Sequence, residues 1–408
     1  MTKKIIFITR RFPYFTTEAF IESEIAYVAQ KFDEVIIFPT EISEYKRNVP
    51  SNVKVVDDFS YAFKNKKKRA LVTVFSLTLY KAIFSHLKLL KSVSDLKLIF
   101  KYVSAYLAYY DFFSDLEGID SADIVYTYWF NEAPLAFSEI KRQRKKNFKV
   151  ISRAHRYDIY EGLKSTLPFW VYRQKTIEQT DCIYSISLNG KEYLEKKYPL
   201  KKTNIRVSKL GVYDNGLIAE NSVGNNHAIV SVSRVHPMKR IGFILDSIVA
   251  FAKTVPHRKI VWTHFGDGDE LLTIKGKAEK VRPENLIFNF KGNVPNSQIY
   301  DHYTEEPTDL FINLSSSEGI PVSIMEAQSF GIPVIATNVG GSGEIVVAQT
   351  GILLSENPLI EEVVNALNCI LIMKSINNIE VKEYWKDNFD ADKNYSEFSN
   401  AILMQVKK

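Results

Sequence analysis

Cysteine is almost absent from this chain: Cys182 and Cys369 are the only two among 408 residues. Two thiols make neither a disulfide framework nor a thiolate metal cluster, so a reduced, cytosolic compartment is the expectation. Long apolar runs are absent as well. No stretch reaches the roughly 18 uninterrupted apolar residues of a membrane span. The opening MTKKIIFITRRF is basic and then apolar, but Arg10 and Arg11 cut the run short, so it reads as a first buried strand and not as an export signal. Neither a low-complexity tract nor a short-period repeat is present, which excludes disordered and solenoid classes. Composition is that of a globular protein, 46% apolar and 25% charged, and the length suits two α/β domains.

Acid is missing from one window. Between Tyr61 and Tyr110 stand ten Lys or Arg, ten aromatics and a single acid, Asp95, in a chain whose net charge is +6. Leu87, Leu90, Val93, Leu96, Ile99 and Val103 recur among the lysines at helical spacing. A basic amphipathic helix of this kind can lie on an anionic membrane surface. The competing reading is a core-packing helix pair with a solvated basic face. No nucleic-acid motif accompanies the charge, so nucleic acid is not expected as a partner.

Short apolar runs alternate with helical stretches in both halves. Strands are expected at Ile5–Thr9, Val35–Phe38, Ile124–Thr127, Val150–Ser152, Cys182–Ser185 and Ile205–Leu210, with a helix near Ala19–Gln30. A polar stretch with three glycines, Asp214–Asn226, reads as a linker. The second half repeats the plan with strands at Ala228–Ser233, Lys259–Phe265, Leu286–Phe290, Leu310–Leu314 and Pro333–Thr337. This is the signature of an α/β chain of two Rossmann-like, doubly wound parallel sheets. The expected domains are 1–213 and 214–390, with a final helix over about 391–406 able to cross back onto the first. Ligands bind such sheets beyond the carboxyl ends of the strands, so the residues just after each strand are the candidates.

In SSSEGIPVSIMEA, Ser315 to Ala327, Pro321 suits the first position of a helix. The backbone N–H groups of Gly319 and Ile320 then form an anion site at its start. Glu318 in the loop and Glu326 in the second helical turn can bracket one polyhydroxylated ligand, one acid at sugar hydroxyls and the other at a ribose diol. In SVSRVHPMKRIG, Arg234 and Lys239 flank a turn at Pro237, placed to neutralise a diphosphate whose charge grows as a bond to it breaks. HFGDGDE and FKGNV carry Gly266 and Gly292 after strands, where glycine permits close backbone approach. Asp267 and Asp269 have a spacing able to hold Mg²⁺ or Mn²⁺, although a tight local turn accounts for them too. TNVGGSGE, Thr337 to Glu344, is a further glycine-rich turn.

The order Arg234/Lys239, GDG at Gly266, GNV at Gly292, EGIPVSIME from Glu318, FGIPVIAT from Phe330 and VGGSGE from Val339 resembles retaining glycosyltransferase family 4, within glycosyl transferases group 1. The resemblance implies a GT-B fold, two Rossmann-like domains facing a central cleft. It implies that Arg234 and Lys239 hold the donor diphosphate, that Glu326 binds the ribose, that Glu318 lies at the sugar or its phosphate, and that the backbone around Asn293 and Val294 meets the base. In the first half, ISRAHRYDIY resembles the family segment whose histidine sits near the transferred sugar. That position is His155, with Arg153 and Asp158 beside it. TRRFPYFTTEAF resembles the opening loop that faces the donor phosphates; where many relatives carry two adjacent glycines, this chain carries Thr16 and Thr17. Glu18 and the helix after it are assigned to the acceptor side, and Trp129 in TYWFNEA offers a sugar-stacking surface or a core aromatic.

The function implied is retaining transfer of a sugar from a nucleotide-sugar to a glycan or lipid-linked acceptor, in bacterial surface polysaccharide synthesis. A UDP-sugar is the first expectation for the donor and GDP-mannose the second. No cofactor and no metal are expected, because Arg234 and Lys239 can do a metal's electrostatic work. The location expected is cytoplasmic, peripheral on the inner face of the cell membrane. The alternatives are a catalytically silent sugar-nucleotide-binding subunit and a sugar-nucleotide epimerase of the same architecture.

Overall fold

The computed structural model describes residues 2–145, 147–163, 166–199 and 204–406. The chain divides into two compact units, Met1–Leu210 with Tyr395–Lys408, and Gly211–Asn394. The division thus falls at Leu210, a few residues before the expected 213, and the last twelve residues of the helix Ala391–Val406 count with the first unit.

The first unit holds seven parallel strands: β1 Lys4–Thr9, β2 Glu34–Pro39, β3 Val53–Val55, β4 Ile124–Thr127, β5 Lys149–Ala154, β6 Cys182–Ser185 and β7 Ile205–Val207. Their order in the sheet is β3-β2-β1-β4-β5-β6-β7. Alternate residues face opposite sides. Ile5 and Phe7 pack into one core with Tyr126 and the C-terminal residues Phe398 and Ile402. Ile6 and Ile8 pack into another with Val125, Phe137 and Val150. Burial on both faces explains why these strands read as unbroken apolar runs.

The second unit holds β8 Asn226–Val232, β9 Lys259–Phe265, β10 Leu286–Gly292, β11 Leu310–Asn313, β12 Val334–Thr337 and β13 Gly351–Leu354, ordered β10-β9-β8-β11-β12-β13. The helix Ile241–Thr254 and the helix Ile360–Leu367 cover one face, burying Ile244, Ile248, Val363 and Leu367 against Ile229, Trp262 and Ile312. Strand order reverses between β1 and β4 and again between β8 and β11. Each reversal opens a crevice beyond the strand ends.

The basic window departs from the expected helix. It folds as short helices Lys66–Val74 and Leu77–Ser85, a 3₁₀ turn Leu87–Leu89, and the long helix Val93–Ser114, which Ser92 caps. The apolar spacing from Leu87 to Val103 therefore crosses a break. Ile99 and Val103 are buried, whereas Leu87, Val93 and Leu96 are exposed.

Candidate functional site

In the second unit the reversal point brings two loops together. After β8 the chain turns through the 3₁₀ segment Pro237–Lys239, and Arg240, with φ +52°, starts the helix Ile241–Thr254. After β11 it runs through Ser315–Pro321 into the helix Val322–Ser329. Pro321 is the cap residue, with extended backbone, and not the first helical residue as expected. The Ser316 N–H donates to the Met238 carbonyl at 2.8 Å, which zips the loops together. Lys239 Nζ lies 2.5 Å from Glu318 Oε1, and Asn313 Nδ2 donates to the same oxygen at 3.3 Å. Glu318 and Ile320 are buried, and Gly319 is half-buried between them.

Arg234 is different. It is solvent-exposed, 3.9 Å from the exposed Asp269. Asp267 Oδ1 accepts the Gly268 N–H at 2.6 Å, the mark of a local turn. Among the described residues no group of three or more His, Cys, Asp or Glu could hold a metal ion.

Glu326, in the second turn of its helix, accepts hydrogen bonds from Asn296 Nδ2 at 2.9 Å and Tyr300 Oη at 3.4 Å. Burial pushes its carboxyl up to about 7, against the pull of those two donors. Asn293 is exposed and Val294 half-buried, both in the loop that follows β10.

The glycines carry a correction. Gly266, at φ +142°, and Gly268 approach protein backbone and not open space: a Cβ at Gly266 would stand 1.8 Å from the Ser233 carbonyl oxygen, and one at Gly268 2.1 Å from that of Val235. They seat the Arg234 loop. Gly340, at φ +55°, does the same for the acid loop, since its Cβ would lie 2.1 Å from the Glu318 carbonyl oxygen. The Gly341 N–H donates to the Gly319 carbonyl at 2.6 Å.

In the first unit, the reversal point gathers the ends of β1, β4 and β5. His155 follows β5 and is buried. Burial lowers its imidazole to about 3, helped by the Arg153 charge and opposed by a hydrogen bond to the Tyr128 backbone. The ring is therefore neutral near pH 7. Its Nε2 is buried without a hydrogen-bond partner, and Trp129 lies with ring centroids 4.9 Å away. Trp129 is half-buried, and its indole N–H donates to Glu18.

Two neighbours of His155 are not placed to touch a ligand. Arg153 is fully buried, paired with the equally buried Glu24 at 3.2 Å and lying over the Phe398 ring. That pair and that ring enclose its guanidinium. Asp158 is fully buried and accepts the His155 N–H at 2.6 Å and the Phe130 N–H at 2.8 Å. Its role is to shape the turn that holds His155.

The opening loop is also corrected. The N–H groups of Arg11 and Phe12 donate to Glu18 at 2.7 Å each, and that of Arg10 at 3.4 Å. This concave set of amides could have met a donor phosphate, but the chain's own carboxylate occupies it. Thr16 and Thr17 are exposed, and Arg47 holds the Phe15 and Thr17 carbonyls.

Sequence reading missed three residues here. Glu41 receives both Arg10 and Arg11 at 2.9 and 2.7 Å. Glu132, at the end of the β4 loop, is pushed up to about 7 by burial, against the charges of Arg69, Arg10 and Arg173. In the second unit, His264 is buried with Nδ1 2.8 Å from Ser231 Oγ, and burial lowers it to about 4. Glu132 and His264 stand inside TYWFNEA and HFGDGDE, but nothing in their spacing marks them, and only the third dimension gives them and Glu41 their neighbours.

Residues 218–388, nearly all of the second unit, match the family model described as glycosyl transferases group 1. The chain is 29% identical over 162 residues to an uncharacterized glycosyltransferase of Haemophilus influenzae, covering 38% of this chain and 43% of that one. It is 23% identical over 237 residues to the Escherichia coli UDP-Gal:alpha-D-GlcNAc-diphosphoundecaprenol alpha-1,3-galactosyltransferase, covering 53% and 59%. The chain thus spans about half the length of the curated relatives it matches. Among solved structures, the lipopolysaccharide outer core galactosyltransferase WaaB superposes with a TM-score of 0.72 at 17% identity, over 98% of this chain and 99% of that one. Anabaena HepE in complex with UDP and glucose superposes with a TM-score of 0.61 at 14% identity, over 98% and 99%. These likenesses identify the fold as GT-B.

Proposed function

We propose that the chain is a retaining hexosyltransferase of family 4 that moves a sugar from a nucleotide-sugar to a glycan or lipid-linked saccharide in bacterial surface polysaccharide synthesis. The observation that carries this reading is the pair Lys239–Glu318 at 2.5 Å, set beside the Gly319 and Ile320 amides at the β8/β11 reversal. Lys239, joined by Arg234, meets the diphosphate, whose charge grows as the sugar leaves. Fixed cations there stabilise the transition state more than the ground state. Glu318 holds the sugar, Glu326 the ribose diol, and the backbone at Asn293 and Val294 the base. His155, neutral and with Nε2 unpartnered, offers a hydrogen bond to a sugar hydroxyl.

UDP is the favoured nucleotide, in keeping with the UDP-Gal-dependent E. coli relative and the HepE complex with UDP and glucose. GDP-mannose is the second choice. A saccharide on a lipid carrier as acceptor would put the enzyme at the inner face of the membrane. The proposal includes metal independence.

A thermal-shift screen against nucleotide-sugars tests the donor, because a ligand bound only to the folded state raises stability by mass action. Product analysis with the stabilising donor then separates transfer from epimerisation and from silent binding. Transfer is expected to survive EDTA. Complete loss, restored by Mn²⁺, would make Asp267 and Asp269 metal ligands.

A further inference from the structure

Twelve of the 26 large apolar side chains exposed among the described residues lie between Tyr61 and Leu96. They concentrate at the corner where the helix Lys66–Val74 meets the helix Leu77–Ser85. Leu71, Phe75, Leu77 and Phe84 are 63%, 78%, 75% and 72% exposed. This is not loose packing. The same helices turn Thr73, Leu79 and Ala82 inward, and Leu79 and Ala82 join a core with Ile99, Tyr102 and Trp170. The corner is firmly seated on the helix Val93–Ser114 and presents a second apolar face outward.

Cations surround that face. Lys66, Lys67, Lys68, Lys81, Lys88 and Lys91 are all exposed, and among the described residues none of them forms an ion pair. The lone acid of the window is turned away. Asp95 is buried and accepts the Lys91 and Ser92 N–H groups at 2.8 Å each, as part of a helix cap. The surface is therefore apolar at the corner and positive around it, with no exposed acid between Tyr61 and Tyr110.

We propose that the corner Leu71–Phe84 inserts into an anionic lipid surface, with its apolar side chains below the headgroups and the lysines at their level. Charge selects this occupant. A second copy docking through the same patch would set one lysine-rich rim against another, because a two-fold interface uses the same surface on both subunits. A membrane rich in acidic lipid supplies both what the apolar residues need and what the lysines need. Lysine stems also reach upward easily from a partly immersed helix. No described helix is long and apolar enough to cross a membrane. This inference does not depend on the donor or on any transfer.

The full chain is to be floated with vesicles of phosphatidylcholine alone and with one-third phosphatidylglycerol, at low and at physiological salt. Wild type should float with the anionic vesicles and not with the neutral ones. The triple variant Phe75→Ser, Leu77→Ser, Phe84→Ser should lose at least about tenfold in partitioning at both salts, because apolar burial is not screened. The triple variant Lys66→Ser, Lys67→Ser, Lys68→Ser should lose most at low salt, where the attraction of each lysine to the anionic surface is least screened. Phe75→Trp should shift its emission to the blue on anionic vesicles. Failure of wild type to float at either salt overturns the inference, and so does flotation unaffected by the apolar variant. A wild-type mass that doubles in solution and reverts to one copy in the apolar variant, without flotation, assigns the face to a dimer instead. Unchanged near-UV circular dichroism in both variants keeps misfolding apart from these outcomes.

Discussion

Lys239 Nζ stands 2.5 Å from Glu318 Oε1, a contact that joins the loop after β8 to the loop after β11. Under the proposed function, the cation that meets the diphosphate is held on the chain's own acid. On that reading, a diphosphate at the Gly319 and Ile320 amides would compete for Lys239 and leave Glu318 to the sugar. Glu318→Gln should therefore lower kcat by about 100-fold, the scale of one preorganised electrostatic partner. Affinity for the nucleoside diphosphate should stay the same or tighten, since Lys239 is freed. Titration calorimetry with UDP beside steady-state rates checks both halves, and a loss of affinity larger than the loss of kcat would refute the assignment.

Glu326 gives a pH dependence. Its folded carboxyl lies at about 7, above the ordinary value, because burial outweighs the hydrogen bonds from Asn296 and Tyr300. A ribose diol donates to the ionised form. Donor affinity should accordingly rise as pH is raised from 6 to 8 and then level off, while Glu326→Gln should bind weakly and without that rise. The sign for stability is the reverse. A carboxyl raised on folding favours the fold at low pH, and that favour is lost as pH climbs from about 4.5 towards 7. Glu326→Gln should flatten this part of the stability profile, read by denaturant titration at several pH values.

Gly340→Ala tests the support of the site without touching a proposed ligand contact. The new methyl would lie 2.1 Å from the Glu318 carbonyl oxygen, which is backbone and cannot swing aside. The loop holding Glu318 must shift. Activity should fall at least about tenfold, in line with the sensitivity of catalysis to small misplacement, and stability by about 1–3 kcal/mol. Gly242→Ala, where nothing lies within 4 Å of the added carbon, is the control and should keep activity.

His155 is held neutral, with a folded value of about 3 against an ordinary 6.5. A histidine depressed on folding contributes stability above the unfolded value, and that contribution is lost as pH falls below about 6.5. Between pH 7 and pH 5 it should take away about 2 kcal/mol. His155→Asn should reduce this acid sensitivity, and the imidazole resonance of the wild type should not titrate above pH 4. A midpoint near 6.5 by nuclear magnetic resonance would contradict the buried, neutral ring.

The sequence by itself determined the class of fold and marked the candidate loops. Buried parallel strands must be apolar on both faces, so β4, β6 and β9 could be read residue for residue. Loops that follow strands are where ligands bind such sheets, so Glu318, Lys239 and His155 could be named as candidates. The edge strands β3 and β13 escaped notice, because three or four residues at a sheet edge carry little periodicity. Direction was beyond the sequence. Arg153 and His155 are two apart on one segment, yet Arg153 ends in a sealed pair with Glu24 while His155 keeps a free nitrogen. Only the packing of Glu24, Phe398 and Trp129 decides which is which. The same holds for the glycines and for Glu18. A glycine's sequence position says that something comes close, and only the tertiary structure says whether it is a ligand or another loop. A nest of amides attracts any anion, and here the nearest is a carboxylate eight residues further along the chain.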